Sequence, residues 1–178
     1  MNHFKQSDIV SGGSHTPPET RYLLYSLAVS IRAKDILETG YDAGHTTEAL
    51  CQTGANVTGI DDLSEYPETN ILAMQRLAKY DNCELLNIDA LRFLRCEPDE
   101  SYDFIFIDDN HASLHVSEEA KEVKRILRPG GIAVFHDTKY HKIWWIIMDV
   151  FPDWDKIEFP AISPIRNEDF GIGIVVKG

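Results

Sequence analysis

The stretch DILETGYDAGHTTEAL, residues 35–50, begins as a short apolar strand and ends with helical spacing. Between the two lies Glu38-Thr39-Gly40-Tyr41-Asp42-Ala43-Gly44, a turn with two glycines. A tight strand-to-helix turn aims a helix amino terminus at whatever sits on it, and phosphates are frequent occupants. Two requirements for phosphate fail here. Gly40 and Gly44 are spaced G-x-x-x-G rather than G-x-G-x-x-G, and no Gly-Lys-Ser/Thr ending follows. Glu38 would repel a phosphate and suits a ligand with an ammonium group. Glycines also serve tight turns for purely conformational reasons, so the turn alone does not identify a ligand.

Outward from this turn, strands and helices alternate. Residues 17–33 carry Leu23, Leu24, Leu27, Ala28 and Ile31 at helical spacing after two prolines. Strands are expected at 35–39, 56–61, 83–89, 102–108 and 132–137. Helices are expected at 46–53, 67–80, 91–95, 113–127 and 140–150. The 67–80 helix would bury Ile71, Met74, Leu77 and Ala78, and Pro129-Gly130-Gly131 would end the 113–127 helix. Two further strands, near 154–159 and 170–177, follow without a helix between them. The pattern predicts an α/β protein with a mostly parallel, doubly wound sheet covered on both faces.

In such sheets ligands bind beyond the carboxyl ends of the strands. Those ends carry Glu38 with Gly40, Asp61, Asp89, Asp108 and Asp137. Asp61 lies 21 residues after Gly40, where a carboxylate can accept hydrogen bonds from both hydroxyls of a ribose. Asp89-Ala90 could reach an adenine edge. Together these suggest adenosine with a zwitterionic tail and no phosphate.

The segments ETGYDAGHTT, VTGID, NIDA, YDFIFID and LRPGG resemble, in order, the class I S-adenosylmethionine-dependent methyltransferases, over roughly residues 33–138. The resemblance implies a seven-stranded Rossmann-like sheet with an antiparallel last strand. It implies that Gly40 and its neighbours Glu38, Tyr41, Gly44 and Thr46 cradle the methionyl part. Asp61, with Asp62, would hold the ribose, Asp89 and Ala90 would flank the adenine, and Asp108 would also border the cofactor.

Family members that methylate base or amide nitrogens often carry N/D-P-P-Y/F after the fourth strand; here the residues are Asp108-Asp109-Asn110-His111. IDDNH and FHDT instead resemble the metal-dependent O-methyltransferase branch. That implies Asp108, His136 and Asp137 as ligands to magnesium or manganese, with His111 as proton acceptor. The catechol-type enzymes carry Asp-Asn where this chain has Asp137-Thr138, and Lys at the His111 position, so catechol is not implied. The alternatives are metal-independent transfer to O, N or C of a metabolite, and a non-catalytic binder of the same cofactor.

Simpler roles compete. His111 could cap the helix near Ser113, and Asp137 could cap the helix that follows it. His136 could face back into the sheet. Trp144-Trp145-Ile146-Ile147 reads as core helix rather than a substrate platform. His115 and His141 have no evident partner, and His45 sits where a methionyl carboxylate would lie. Residues 11–19 (SGGSHTPPE) are either a linker or a cover for the substrate cleft, and 1–16 is expected to be flexible ahead of a single domain spanning 1–178.

Composition narrows the partners. Seventeen basic and 29 acidic side chains leave a net charge of −12, which repels a polyphosphate backbone, so a small-molecule acceptor is expected and a nucleic acid is not. No apolar run approaches a membrane span, and no signal peptide is evident. Cys51, Cys83 and Cys96 are odd in number and widely spaced; they read as half-buried free thiols in a cytoplasmic protein, not as a zinc site.

Overall fold

The structure, a computed structural model, describes residues 16–64, 67–140, 142–161 and 169–178. Of the sequence expectations, the behaviour of residues 1–15 and of His141 lies outside these.

The first helix, α1 (Pro18–Ser30), starts at a proline whose missing N–H is no loss in a first turn. After it come β1 (Asp35–Thr39), α2 (His45–Cys51), β2 (Asn56–Asp61), α3 (Thr69–Leu77), β3 (Cys83–Asn87) and α4 (Ala90–Leu94). The second half is β4 (Tyr102–Ile107), α5 (Ser113–Ile126), β5 (Leu127–His136), α6 (Ile143–Val150), β6 (Asp155–Phe159) and β7 (Ile172–Val176). The seven strands form one sheet in the order β3-β2-β1-β4-β5-β7-β6. Only β7 runs antiparallel to its neighbours, β5 and β6. The strand order reverses between β1 and β4, so the expected binding edge falls at the carboxyl ends of these two.

Two apolar layers cover the sheet. Leu24, Leu50, Ala73 and Leu77 from α1–α3 pack on Ile36, Phe104, Phe106 and Val134. Leu94, Val123, Ile126 and Ile147 from α4–α6 pack on Leu37, Ile105, Ala133 and Phe135. Neighbouring strand residues thus point to opposite layers, as the pleat requires. The run YDFIFI is apolar because both faces of β4 are covered. Burying a side chain such as Phe106 contributes about 1.5–3 kcal/mol.

Three sequence expectations are corrected. Pro129-Gly130-Gly131 does not end α5. Leu127 is already extended and pairs with Tyr102, while Ile132 pairs with Phe104, so Arg128–Gly131 form a bulge inside β5. Helix α3 turns Ala73 and Leu77 inward and leaves Ile71 and Met74 61% and 60% exposed. The reason is Gly44: a Cβ there would come within 3.0 Å of Leu77 and 3.2 Å of Ala73, so α3 approaches α2 through its smallest residue. In α6 only Ile143 and Ile147 are buried, whereas Trp145 is 72% exposed.

Candidate active site

The carboxyl edge of β1, β2, β4 and β5 gathers the residues singled out in the sequence. Gly40 and Gly44 both adopt left-handed backbone, with φ of 78° and 76°. Neither owes its identity to a ligand alone. A Cβ on Gly40 would fall 2.2 Å from the Asp108 carbonyl oxygen. The turn is glycine because the end of β4 presses against it, the conformational reason that the sequence left open. Tyr41 turns its ring into the core and donates from its hydroxyl to Asn70 Oδ1 at 3.1 Å, leaving only its backbone at the turn. Thr46 is buried in the first turn of α2.

Asp61 is half-buried at the end of β2. Its Oδ2 accepts from the Asp42 N–H at 2.9 Å and its Oδ1 from the Leu63 N–H at 2.8 Å. Those bonds fix the carboxylate's direction and leave each oxygen a further lone pair. Asp62 is exposed and accepts from Ser64 N–H. Asp89 is exposed and caps α4 by accepting from Arg92 N–H at 2.8 Å, beside buried Ala90. Glu38 is 0% exposed, and neither of its oxygens has a hydrogen-bond partner of ordinary geometry. Burial first, and then the charge of Asp108, push its carboxyl well up.

Across the turn, Asp108 and Asp137 converge. His111 Nε2 stands 2.7 Å from Asp137 Oδ2 and 3.7 Å from Asp108 Oδ1. His136 Nδ1 lies 3.2 Å from Asp108 Oδ1 and 3.1 Å from Asp137 Oδ1. Asp137 sits in a left-handed turn, φ 56°, which bends the chain sharply as it leaves β5. It caps nothing: the residue preceding α6 is Lys142, and His111 likewise makes no cap for α5. His136 is held edge-on to Phe106 and stacked near Phe170. The donor atoms that all fall within 4.8 Å of one another belong to Asp108, His111 and Asp137; His136 lies beneath them.

This cluster is electrostatically tight. The carboxylates of Asp108 and Asp137 raise His111 to about 10. Burial would lower His136, but the charge of Asp108 overrides it and carries it to about 10 as well. Burial opposes ionisation of Asp137, yet the two imidazoles hold its carboxyl well below the usual range. Both imidazoles are thus held toward their charged forms beside the two carboxylates.

Several contacts are not written in any motif. Thr16 Oγ1 donates to Asp108 Oδ2 at 3.2 Å, so the described end of the 11–19 segment reaches the cluster. His45 lies between two arginines, with Arg76 Nη2 3.1 Å from its Nε2 and Arg21 Nη1 3.5 Å from its Nδ1. A neutral imidazole accepts at one nitrogen only. The shorter contact assigns the lone pair to Nε2, which leaves Arg21 facing an N–H. Arg21 is buried and its Nε has no hydrogen-bond partner. Desolvation first, then Arg76 and Arg21, lower His45 to about 4. His45 lies within the ETGYDAGHTT segment, but no motif marks Thr16, Arg21 or Arg76, because they come from the chain before α1, from α1 and from α3.

A surface hollow of about 550 Å³ opens away from this edge, between α1 and the α2–β2 connection. Among the described residues no helix is long and apolar enough to cross a membrane. The three cysteines are unbridged; Cys51 is buried, Cys83 half-buried and Cys96 exposed.

Comparison with known proteins agrees with the fold. A family model described as a methyltransferase domain matches residues 37–138. No curated protein matches the sequence. A solved structure from Klebsiella pneumoniae, described as a candidate O-methyltransferase, superposes with a TM-score of 0.79 at 13% identity, covering 97% of this chain and 86% of that one. An O-methyltransferase from Bacillus cereus in complex with SAH gives 0.76 at 17%, covering 97% and 87%. The N-methyltransferase NodS from Bradyrhizobium japonicum WM9, in complex with S-adenosyl-l-homocysteine, gives 0.69 at 18%, covering 97% and 95%. Both O- and N-methyltransferases share the fold.

Proposed function

The chain belongs to the methyltransferase-domain family, and from that premise we propose that it transfers the methyl group of S-adenosylmethionine to an oxygen of a small molecule, assisted by a divalent cation. The convergence of Asp108 and Asp137 beside the buried, unpartnered Glu38 carries this reading. The sulfonium of the cofactor, when bound, supplies a methyl group already activated for in-line displacement. The chain's own task is alignment, which can lower a barrier by several kcal/mol.

Glu38 fits the methionyl ammonium: a fully buried carboxylate without donors is costly until a cation or proton meets it. Arg21 fits the methionyl carboxylate, for it is buried with Nε unpartnered. Asp61 has lone pairs left for the ribose hydroxyls. Asp62, Asp89 and Ala90 border the nucleoside, and the backbone of Gly40, Tyr41 and Gly44 shapes the tail's seat beside Thr46.

Asp108 and Asp137 fit a hard divalent cation, because two converging carboxylates require positive charge between them. Magnesium or manganese suits this oxygen pair, and would lower the pKa of an acceptor hydroxyl. Displacing the imidazolium protons would leave His111 neutral and 2.7 Å from Asp137, free to take the acceptor's proton. His136 positions both carboxylates from below, and Thr16 orients Asp108. Cysteines left unbridged are in keeping with a cytoplasmic setting, and the acidic surface favours a small acceptor over nucleic acid.

A second reading, metal-independent transfer, is favoured by one observation: His111 lies 2.7 Å from Asp137, and His136 3.2 and 3.1 Å from Asp108 and Asp137, where protonated imidazoles would balance both carboxylates. Activity measured with excess chelator and then with added magnesium separates the two, and calorimetry with S-adenosylmethionine reads cofactor binding in each condition. We expect cofactor binding in both conditions, and activity that falls on chelation and returns with magnesium. Asp61→Ala should weaken cofactor binding about ten- to a hundredfold. Full activity in excess chelator would leave the metal-free reading standing, and tight NAD binding would end both.

A further inference from the structure

We propose that Asp109, His115 and Glu119 form a second divalent-cation site, separate from Asp108 and Asp137. Consecutive residues leaving a strand point to opposite sides. Asp108 turns toward Thr16 and His136, and Asp109 turns toward α5. His115 and Glu119 are four residues apart on α5 and so share one face of that helix. His115 Nε2 lies 3.3 Å from Asp109 Oδ2 and 3.8 Å from Glu119 Oε1. One donor atom from each of the three residues lies within 4.8 Å of the other two.

Glu119 is the observation that points to a ligand. It is 0% exposed, and neither carboxylate oxygen has a hydrogen-bond partner of ordinary geometry. Asp109 Oδ1 and His115 Nε2 share that condition. Val116, Ala120 and Val123 on the same helix belong to the apolar layer, and the polar groups near the carboxylate are Thr39, Asp109 and His115. Asp89 adds a further negative charge nearby. Protons on Glu119 and on His115 would balance the charge without joining the three groups. A divalent cation meets one oxygen from each and the imidazole nitrogen together.

The donor set indicates which cation. One imidazole nitrogen with two carboxylates suits zinc, manganese or cobalt, whereas magnesium prefers all-oxygen surroundings. A cation here would clamp the first turns of α5 to the end of β4, the strand that leads into Asp108. The site uses none of the residues assigned to methyl transfer, so it stands or falls independently of that assignment.

The test is a Zn²⁺ titration, competed against a chromophoric chelator, in protein carrying Asp108→Asn and Asp137→Asn, which disables the first cluster. One equivalent should bind at micromolar concentration or tighter. His115→Ala and Glu119→Gln, each in that background, should weaken it at least tenfold. Glu119→Gln keeps the buried shape and removes the charge, so the metal-free variant should melt no lower than its parent. Zn²⁺ should raise the melting temperature of the parent and not of either variant. Binding only at millimolar Zn²⁺, or binding equally tight in both variants, overturns the proposal.

Discussion

His111, beside Asp108 and Asp137, and His45, at the start of α2 between two arginines, are poised in opposite directions. Carboxylates on two sides raise His111 to about 10, while burial and two arginines lower His45 to about 4. The pole at β4 and β5 is therefore anionic and ringed by protonated imidazoles. The pole at α1, α2 and α3 is cationic around a neutral one. The same side chain does two jobs because its neighbours, rather than its own chemistry, set its charge. The linkage to stability has opposite signs. His111, raised in the fold, contributes stability below pH 6.5 that is lost as pH rises through about 10. His45, lowered in the fold, contributes nothing adverse above pH 6.5 and costs stability as pH falls toward 4.

The strongest test of this contrast is at the anionic pole. His111→Gln should lower turnover by about 10²–10⁴ with little change in cofactor affinity, read by steady-state kinetics beside calorimetry. If cofactor affinity fell in parallel with turnover, the two poles would not be functionally separate. Next in size is acid stability. Moving from pH 7.5 to 4.5 should cost the folded protein on the order of 2–3 kcal/mol through His45. His45→Gln should remove that part of the loss, seen as urea midpoints that shift less with pH than those of the parent. An unchanged pH dependence would mean that His45 is not held neutral by its arginines. The smallest effect is at Arg21. Arg21→Met should weaken S-adenosylmethionine binding by about tenfold, at unchanged turnover, through one lost charge-assisted contact. A fall in turnover without loss of affinity would place Arg21 elsewhere than at the methionyl carboxylate.

The two poles also differ in how far the sequence discloses them. Asp108 and Asp137 end apolar runs, and a strand's end is a local property, so their meeting at one sheet edge follows from parallel neighbouring strands. The cationic pole has no such marker. Arg21, His45 and Arg76 come from three helices, and their contacts depend on how each helix is rotated. That rotation was misjudged for α3, where bulky Ile71 and Met74 suggested the buried face and small Ala73 occupied it. Thr16 is still less visible, since it joins Asp108 across 92 positions of chain. At Gly40 the conformational need was legible and the cause was not: the obstacle is backbone from β4. Protonation of His111 was equally out of reach, because it depends on a distance to Asp137 that no spacing encodes.

The position of β7 bears on how the site comes into being as the chain is made. β6 touches the sheet only through β7, which follows it in the chain and slips between it and β5. Until β7 is synthesised, β5 offers an open strand edge, the condition under which nascent chains recruit wrong partners. Phe170, whose ring stacks near His136, and Gly171, whose carbonyl accepts from the Thr138 N–H, lie just ahead of that strand. The histidine beneath the two carboxylates is therefore walled in only once residues 170–176 have been made, and chains stalled before residue 170 would carry the matched region 37–138 with that side of His136 still open.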